Sequence, residues 1–298
     1  MERAMHDPVF ETLGRIADFR GRPVEAAAPG LWCCGSLDCL ARPCVAIVGT
    51  RAATPYGTGL ARRFASELGA AGCTIVSGLA LGIDRAAHEG SLGAGAPTVG
   101  VLGAGHRRFF PKRNVALAER MVAAGGAVLS PYPPDHPAYP AQFLERNGIV
   151  AALADALVVV EAPARSGALN TAGWAAGRIP VLAVPGDVDR KHVAGCLALI
   201  RDGATLARSA QDVLEALGRL PFPMRDSAGP VVNDPTASAL LEAMDRGATE
   251  FDEIVAASGI APAAALASLA LLELEGTVES MGASRYARVA PLSGGEKA

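Results

Sequence analysis

Arg51, Ser77 and Gly78 are the first residues whose types and placement suggest chemistry. Arg51 closes the turn Gly49-Thr50-Arg51, which breaks a short apolar run, Val45–Val48. Ser77 and Gly78 open the turn that breaks a second run, Cys73–Val76. Between the two turns a helical pattern sets Leu60, Phe64 and Leu68 on one face. Two buried strands joined by a crossover helix predict a parallel β-α-β unit. In such a unit the strand carboxyl ends and helix amino ends share one edge, where spare backbone N–H groups attract anions. A guanidinium beside free amides suits a phosphate.

Further along, Lys112 and Arg113 follow Pro111 and open a helical stretch, where the positive dipole end adds to their charge. Arg146 and Asn147 follow Phe143 at helical spacing, which brings a ring near a cation and an amide. Aromatic rings stack on unpaired bases, each worth about 1–3 kcal/mol. Phe143 reads equally well as a core residue. Arg107 and Arg108 with Phe109 and Phe110 make a basic and aromatic patch that also fits a solvated loop. Asp84 suits a helix cap or a nearby cation, and His88 suits capping or packing. No G-x-x-x-x-G-K-[ST] occurs, and neither Gly57-Thr58-Gly59 nor Gly103-Ala104-Gly105 gives G-x-G-x-x-G directly after a strand. None of the five histidines stands in a nucleophile order with Ser and Asp.

The elements that must position these residues follow from the apolar pattern. Apolar runs recur at Val45–Val48, Thr74–Val76, Thr98–Leu102, Ala127–Leu129, Ala156–Val160 and Val181–Val184. Helical segments such as Val115–Ala124, Phe143–Leu153 and Ala168–Gly177 separate most of them. Continuous apolar strands alternating with helices predict an α/β fold, a doubly wound parallel sheet covered on both faces, over residues 41–220. Residues 1–40 read as an amino-terminal extension packing against it. Residues 221–235 are rich in proline and read as a linker. Residues 236–292 predict three helices, at Ser238–Met244, Phe251–Ser258 and Ala263–Glu275, and a hairpin of Thr277–Ser280 with Arg285–Val289. That order is a small C-terminal winged helix.

Across 298 residues the net charge is −3, unevenly spread. Basic residues outnumber acidic ones between Ala41 and Leu220, and the reverse holds from Val231 onward. The middle can host a polyanion and the tail should repel one. The third helix of the tail contains no Lys or Arg, so it lacks the phosphate contacts that supply most DNA affinity. No apolar run reaches the roughly 20 residues that span a bilayer. The first residues lack a secretory signal's basic-then-apolar order, so a cytoplasmic location is expected. Cys33, Cys34, Cys39 and Cys44 cluster without a C-x-x-C pair, and all six cysteines read as core rather than as metal ligands.

The order of VAIVGTR, ATPYG, SGLALGID, VLGAG, FLERN, ARSGALNTA, VPGDVD and GCLALIRDGA resembles the DNA-processing protein A family (DprA, also called Smf). The match runs over about residues 31–218, and LLELEGTVES followed by RYARV resembles that family's small winged helix. The resemblance implies a Rossmann-like, non-enzymatic, cytoplasmic protein without a cofactor. Family members bind single-stranded DNA, form homodimers and load the RecA recombinase during natural transformation. Arg51 matches the family's G-[ST]-R turn; Ser77, Gly78 and Gly82 match its S-G-x-A-x-G-I-D. Lys112 and Asn114 fall in its P-x-x-N segment, Phe143, Arg146 and Asn147 in F-x-x-R-N, and Ser166, Gly167 and Thr171 in S-G-x-x-x-T-A. The resemblance therefore implies a single-stranded DNA site at these residues, Gly82 apart, with no metal. Gly148 stands where the family usually carries a further arginine, and Leu197 where it carries an asparagine.

An enzymatic alternative is a nucleoside monophosphate phosphoribohydrolase of the LOG type, which resembles this fold and uses P-G-G-x-G-T-x-x-E. The matching segment here, EAPARSGALNTAGWA, keeps Pro163 but lacks the paired glycines and the Glu. Without that carboxylate the leaving base and attacking water lose their acid/base partner. A small-nucleotide-binding Rossmann protein is the remaining alternative.

Overall fold

The computed structural model describes residues 7–26, 28–218, 234–274, 277–282 and 284–288. The chain divides into two compact units, residues 1–222 and 223–298.

The first unit is a nine-stranded sheet flanked by helices. In chain order its elements are β1 (Val9–Thr12), α1 (Leu13–Arg20), β2 (Gly30–Gly35), β3 (Cys44–Val48), α2 (Pro55–Ala70) and β4 (Thr74–Ser77). There follow α3 (Ile83–Gly93), β5 (Thr98–Val101), α4 (Val115–Ala123), β6 (Ala127–Ser130) and α5 (Pro140–Leu153). The unit continues with β7 (Ala156–Val159), α6 (Gly167–Ala175), β8 (Val181–Ala183), α7 (Ala194–Arg201), β9 (Thr205–Leu206) and α8 (Ala210–Ala216). The strands lie in the order β1-β2-β6-β5-β4-β3-β7-β8-β9, and β6 through β9 pair in parallel.

Both faces of the central strands are buried: β3 and β7 are apolar throughout, and the polar Thr74, Ser77, Thr98 and Ser130 of β4, β5 and β6 are buried with their hydroxyls bonded to backbone carbonyls. Along β3, Cys44, Ala46 and Val48 join the core on one face, while Val45 and Ile47 join the core on the other. The same alternation runs along β7. The crossover helix α2 turns Leu60, Phe64 and Leu68 inward, as its spacing predicts, each worth about 1.5–3 kcal/mol of burial. Thr54 caps it, accepting the Gly57 N–H at 3.0 Å.

Residues 1–40 depart from the expected extension. They supply two strands of the sheet itself, β1 pairing antiparallel with β2 and β2 antiparallel with β6. The stretch GLWCCG is buried at four of its six positions, so it completes the core rather than lying on it. Arg20 ties this segment down, donating to the Leu40 carbonyl at 2.7 Å and to Asp155 Oδ1 at 2.5 Å. All six cysteines are buried and free, and burial pushes the thiols of Cys33, Cys34 and Cys44 up to about 12.

The second unit holds α9 (Pro235–Asp245), α10 (Phe251–Ser258), α11 (Pro262–Leu274) and the antiparallel pair β10 (Val278–Gly282) and β11 (Arg285–Arg288). Three helices and a hairpin make a winged helix around Leu240, Ile254, Leu269 and Val278. The linker read at 221–235 lies outside the described residues, apart from Asp234 and Pro235, which cap and begin α9. Among the described residues no single helix is long and apolar enough to cross a membrane.

Candidate nucleic-acid interface

The chain runs outward from β3 through β4 and β5 to β6, then returns to place β7 on the other side of β3. Ligands of open α/β sheets bind at such a reversal, outside the strand carboxyl ends. Here the turns after β3 and β7 are closed on each other by a hydrogen bond from the Thr50 N–H to the Glu161 carbonyl, 2.7 Å. Arg51 follows at once and is exposed. Its guanidinium carbon sits 5.2 Å from the centroid of the Phe143 ring, which rises half-buried from the first turn of α5. Cation–π contact of this kind contributes about 0.5–1 kcal/mol at exposed sites and fixes the fork of donors. Phe143 is seated against Gly103, where an added Cβ would lie 2.7 Å from the ring. Lys112 and Arg113 are both exposed on the turn that leads into α4.

The turn after β4 is organised differently from the expectation of open amides. Asp84 Oδ2 accepts the Gly78 N–H at 3.1 Å and the Ala80 N–H at 3.3 Å, so those donors are already engaged. Arg146 is 3 % exposed and donates to the carbonyls of Gly78 and Val101. Asn114 is fully buried and donates to the carbonyls of Leu79 and Ala80, at 2.8 and 3.0 Å. Ser77 is also fully buried and gives its hydroxyl proton to the Ile47 carbonyl at 2.6 Å. Ser77, Asn114 and Arg146 therefore hold the turn from beneath instead of facing a phosphate. Burial raises the Asp84 carboxyl above its usual range, an effect opposed by the Arg146 charge, and burial lowers Arg146 to about 10.

The loop before α6 shows the same division. Asn147, 9 % exposed, donates to the Gly167 carbonyl at 3.1 Å and to Asn170 Oδ1 at 3.2 Å. Thr171 is buried and donates to the Gly167 carbonyl at 3.3 Å. Gly167 itself is exposed, and Ser166 Oγ is buried without a hydrogen-bond partner among the described residues. Asn147 and Thr171 thus shape the loop, and Gly167 with Ser166 forms its outer lip.

Glu161 has no place in the sequence reading of the site, yet it joins the two turns. Only 1 % exposed, it accepts the Thr54 N–H at 2.9 Å and the Thr54 hydroxyl at 2.5 Å. His192 Nε2 lies 3.6 Å from the same carboxylate. A carboxylate directly after the apolar run Ala156–Val160 must find donors if buried, and that was its one legible signal.

Exposed cations on one rim, an aromatic ring beneath Arg51 and a rigid set of turns form a surface for an extended anion. A family model described as DNA recombination-mediator protein A matches residues 20–218, two thirds of the chain. The chain belongs to that family. A second model, the DprA winged helix domain, matches residues 225–283. The DNA processing protein DprA of Mycobacterium tuberculosis strain H37Rv, itself named as putative, is 41% identical over 272 residues, covering 88% of this chain and 69% of the relative. Protein Smf of Escherichia coli K12 is 39% identical over 185 residues, 61% of this chain and 49% of the relative. The X-ray structure of DprA from Streptococcus pneumoniae superposes with a TM-score of 0.63 at 33% identity, covering 74% of this chain and 77% of the other. DNA processing protein A from Helicobacter pylori, a structure concerned with that protein's single-stranded DNA binding mode, gives 0.60 at 29%, covering 71% and 94%. This is a DNA-processing protein with the Rossmann-like core and winged helix of the DprA family.

Proposed function

We propose that this protein holds single-stranded DNA along the carboxyl edge of its parallel sheet. Arg51 and Lys112 take phosphates, Phe143 meets bases, and Gly167 with Ser166 lines the path. The reading is carried by one observation, the exposed Arg51 guanidinium poised over Phe143, which offers a phosphate donor and a base platform together. The likeness to the Helicobacter pylori protein supports it. On this reading the protein shields incoming single strands and loads RecA onto them during natural transformation, as a cytoplasmic homodimer and without catalysis. The two buried carboxylates at this edge support the last point. Asp84 and Glu161 are both engaged by protein donors and are not free to serve as acid or base.

A competition assay tests the reading. A labelled single strand held by the protein should be displaced by unlabelled single strand, poorly by duplex, and not by mononucleotides at matched phosphate. Displacement by a mononucleotide as effective as by the strand would move the assignment to a small-nucleotide-binding protein. RecA filament nucleation on a strand already coated by a single-strand binding protein, accelerated by this protein, would test the loading step.

A further inference from the structure

Beyond Arg51 and Phe143, the same edge of the sheet carries four more rings in two connected groups. Phe110 lies 5.7 Å from Phe143 at an interplanar angle of 55° and is 47% exposed. Tyr132 and His136 stack with centroids 5.0 Å apart, and Tyr139 meets His136 edge-on at 5.9 Å while remaining 53% exposed. The loops that bear the two groups are tied together. The Gly105 N–H donates to the His136 carbonyl at 2.8 Å, and the Arg107 N–H donates to the Pro134 carbonyl at 2.9 Å.

These rings are pre-positioned. Tyr139 caps α5, its N–H bonded to Gln142 Oε1 at 3.0 Å, and the following Pro140 opens the helix. Four residues on, Phe143 stands on the same first turn, so one turn of helix links the two groups. Tyr132 is fixed by its hydroxyl, which donates to Glu145 at 2.7 Å. The nearest carboxylates are engaged, Glu145 by Tyr132 and Asp135 by Arg107 at 2.8 Å. The exposed remainder is aromatic surface held rigid beside a cationic rim. Such surface suits the π-faces of bases and not phosphates.

We propose that Phe110 and Tyr139 form a second stacking platform, which takes unpaired bases adjacent to the nucleotide held at Arg51 and Phe143. The proposal rests on the single-strand reading above and extends the footprint along the loops after β5 and β6. Stacking accepts every base, so the platform adds affinity and length dependence without sequence preference.

The test uses the full chain, a series of oligothymidylates of increasing length, and an abasic oligomer with the same backbone. Tyr139→Ala and Phe110→Ala should each weaken binding of the longer oligothymidylates by roughly 5- to 150-fold, the range expected for one lost base stack. Their deficit should shrink on the shortest oligomers and vanish on the abasic one, and Tyr139→Phe should bind as the parent does. Both rings are about half-exposed, and unchanged thermal unfolding will establish that the variants are folded. Parent-like affinity of both alanine variants at every length would overturn the platform while leaving the Arg51 site standing. Equal losses on normal and abasic oligomers would also overturn it, since the rings would then act through the backbone path. Failure of the parent chain itself to bind any oligothymidylate would overturn the single-strand reading, and the platform with it.

Discussion

Asp84 and Arg146 grip the same residue from opposite sides. The Asp84 carboxylate accepts the Gly78 N–H at 3.1 Å, and the Arg146 guanidinium donates to the Gly78 carbonyl. A Cβ at Gly78 would lie 2.7 Å from that guanidinium, so glycine is what lets the two charges close on one peptide. Neither charge is solvated, and each offsets the cost of burying the other. The turn that borders the Arg51 rim is therefore rigid because of residues that never face the ligand.

Arg146→Ala removes the partner of a buried carboxylate and two carbonyl contacts. It should cost about 3–5 kcal/mol of folding stability, the usual consequence of stranding a buried charge. Denaturant unfolding of the variant against the parent measures this. A loss below about 1 kcal/mol would mean that Arg146 is not a structural anchor.

Arg51→Ala has the opposite signature. Arg51 is exposed, so stability should be nearly unchanged, while single-strand affinity falls for every sequence. The slope of log affinity against log salt should become shallower by about 0.7, the share of one phosphate contact on a single strand. Anisotropy titrations across a salt series give both quantities.

Gly103→Ala probes the same site without touching charge. The new Cβ would lie 2.7 Å from Phe143 and must push the ring from beneath Arg51. Single-strand affinity should fall several-fold while the salt slope keeps the parent's value, because no phosphate contact is lost. An altered slope would place Phe143 outside the base-contacting role.

Acid should destabilise the fold through His88. Burial first, and then the Arg146 charge, lower its pKa from 6.5 to about 3, while Nδ1 stays 2.7 Å from Thr98 Oγ1. The unfolded chain then binds a proton that the folded chain refuses. Stability from this group is complete above pH 6.5 and drains at about 1.4 kcal/mol per pH unit as pH falls toward 3. His88→Gln should flatten the dependence of unfolding free energy on pH in that window. Burial also lowers His106, which will leave part of the slope in place.

Much of the fold was legible because its central strands are short, mostly apolar runs bounded by turns. Val45–Val48 and Ala156–Val160 could be little else, and α10 has the limits that its pattern predicts. The two antiparallel strands were not legible. Val9–Thr12 is mostly exposed at the sheet edge, and Gly30–Gly35 is glycine-bounded and without alternation. For the site, spacing sets Arg51 and the turn after β4 at one edge, while Phe143 is assigned to the site only through the family resemblance. Spacing does not say which way a side chain points. Arg146, Asn114, Ser77 and Asn147 therefore read as ligand contacts, although burial turns each toward a backbone carbonyl. Glu161 shows the converse, a charged residue whose donor Thr54 lies 107 positions away and is beyond any local pattern.

The most direct test of the single-strand reading is anisotropy with matched single- and double-stranded oligonucleotides, each over a salt series. The single strand should bind more tightly at every salt concentration, with a steep slope that Arg51→Ala makes shallower. Equal affinity for both forms, or binding that ignores salt, would contradict that reading.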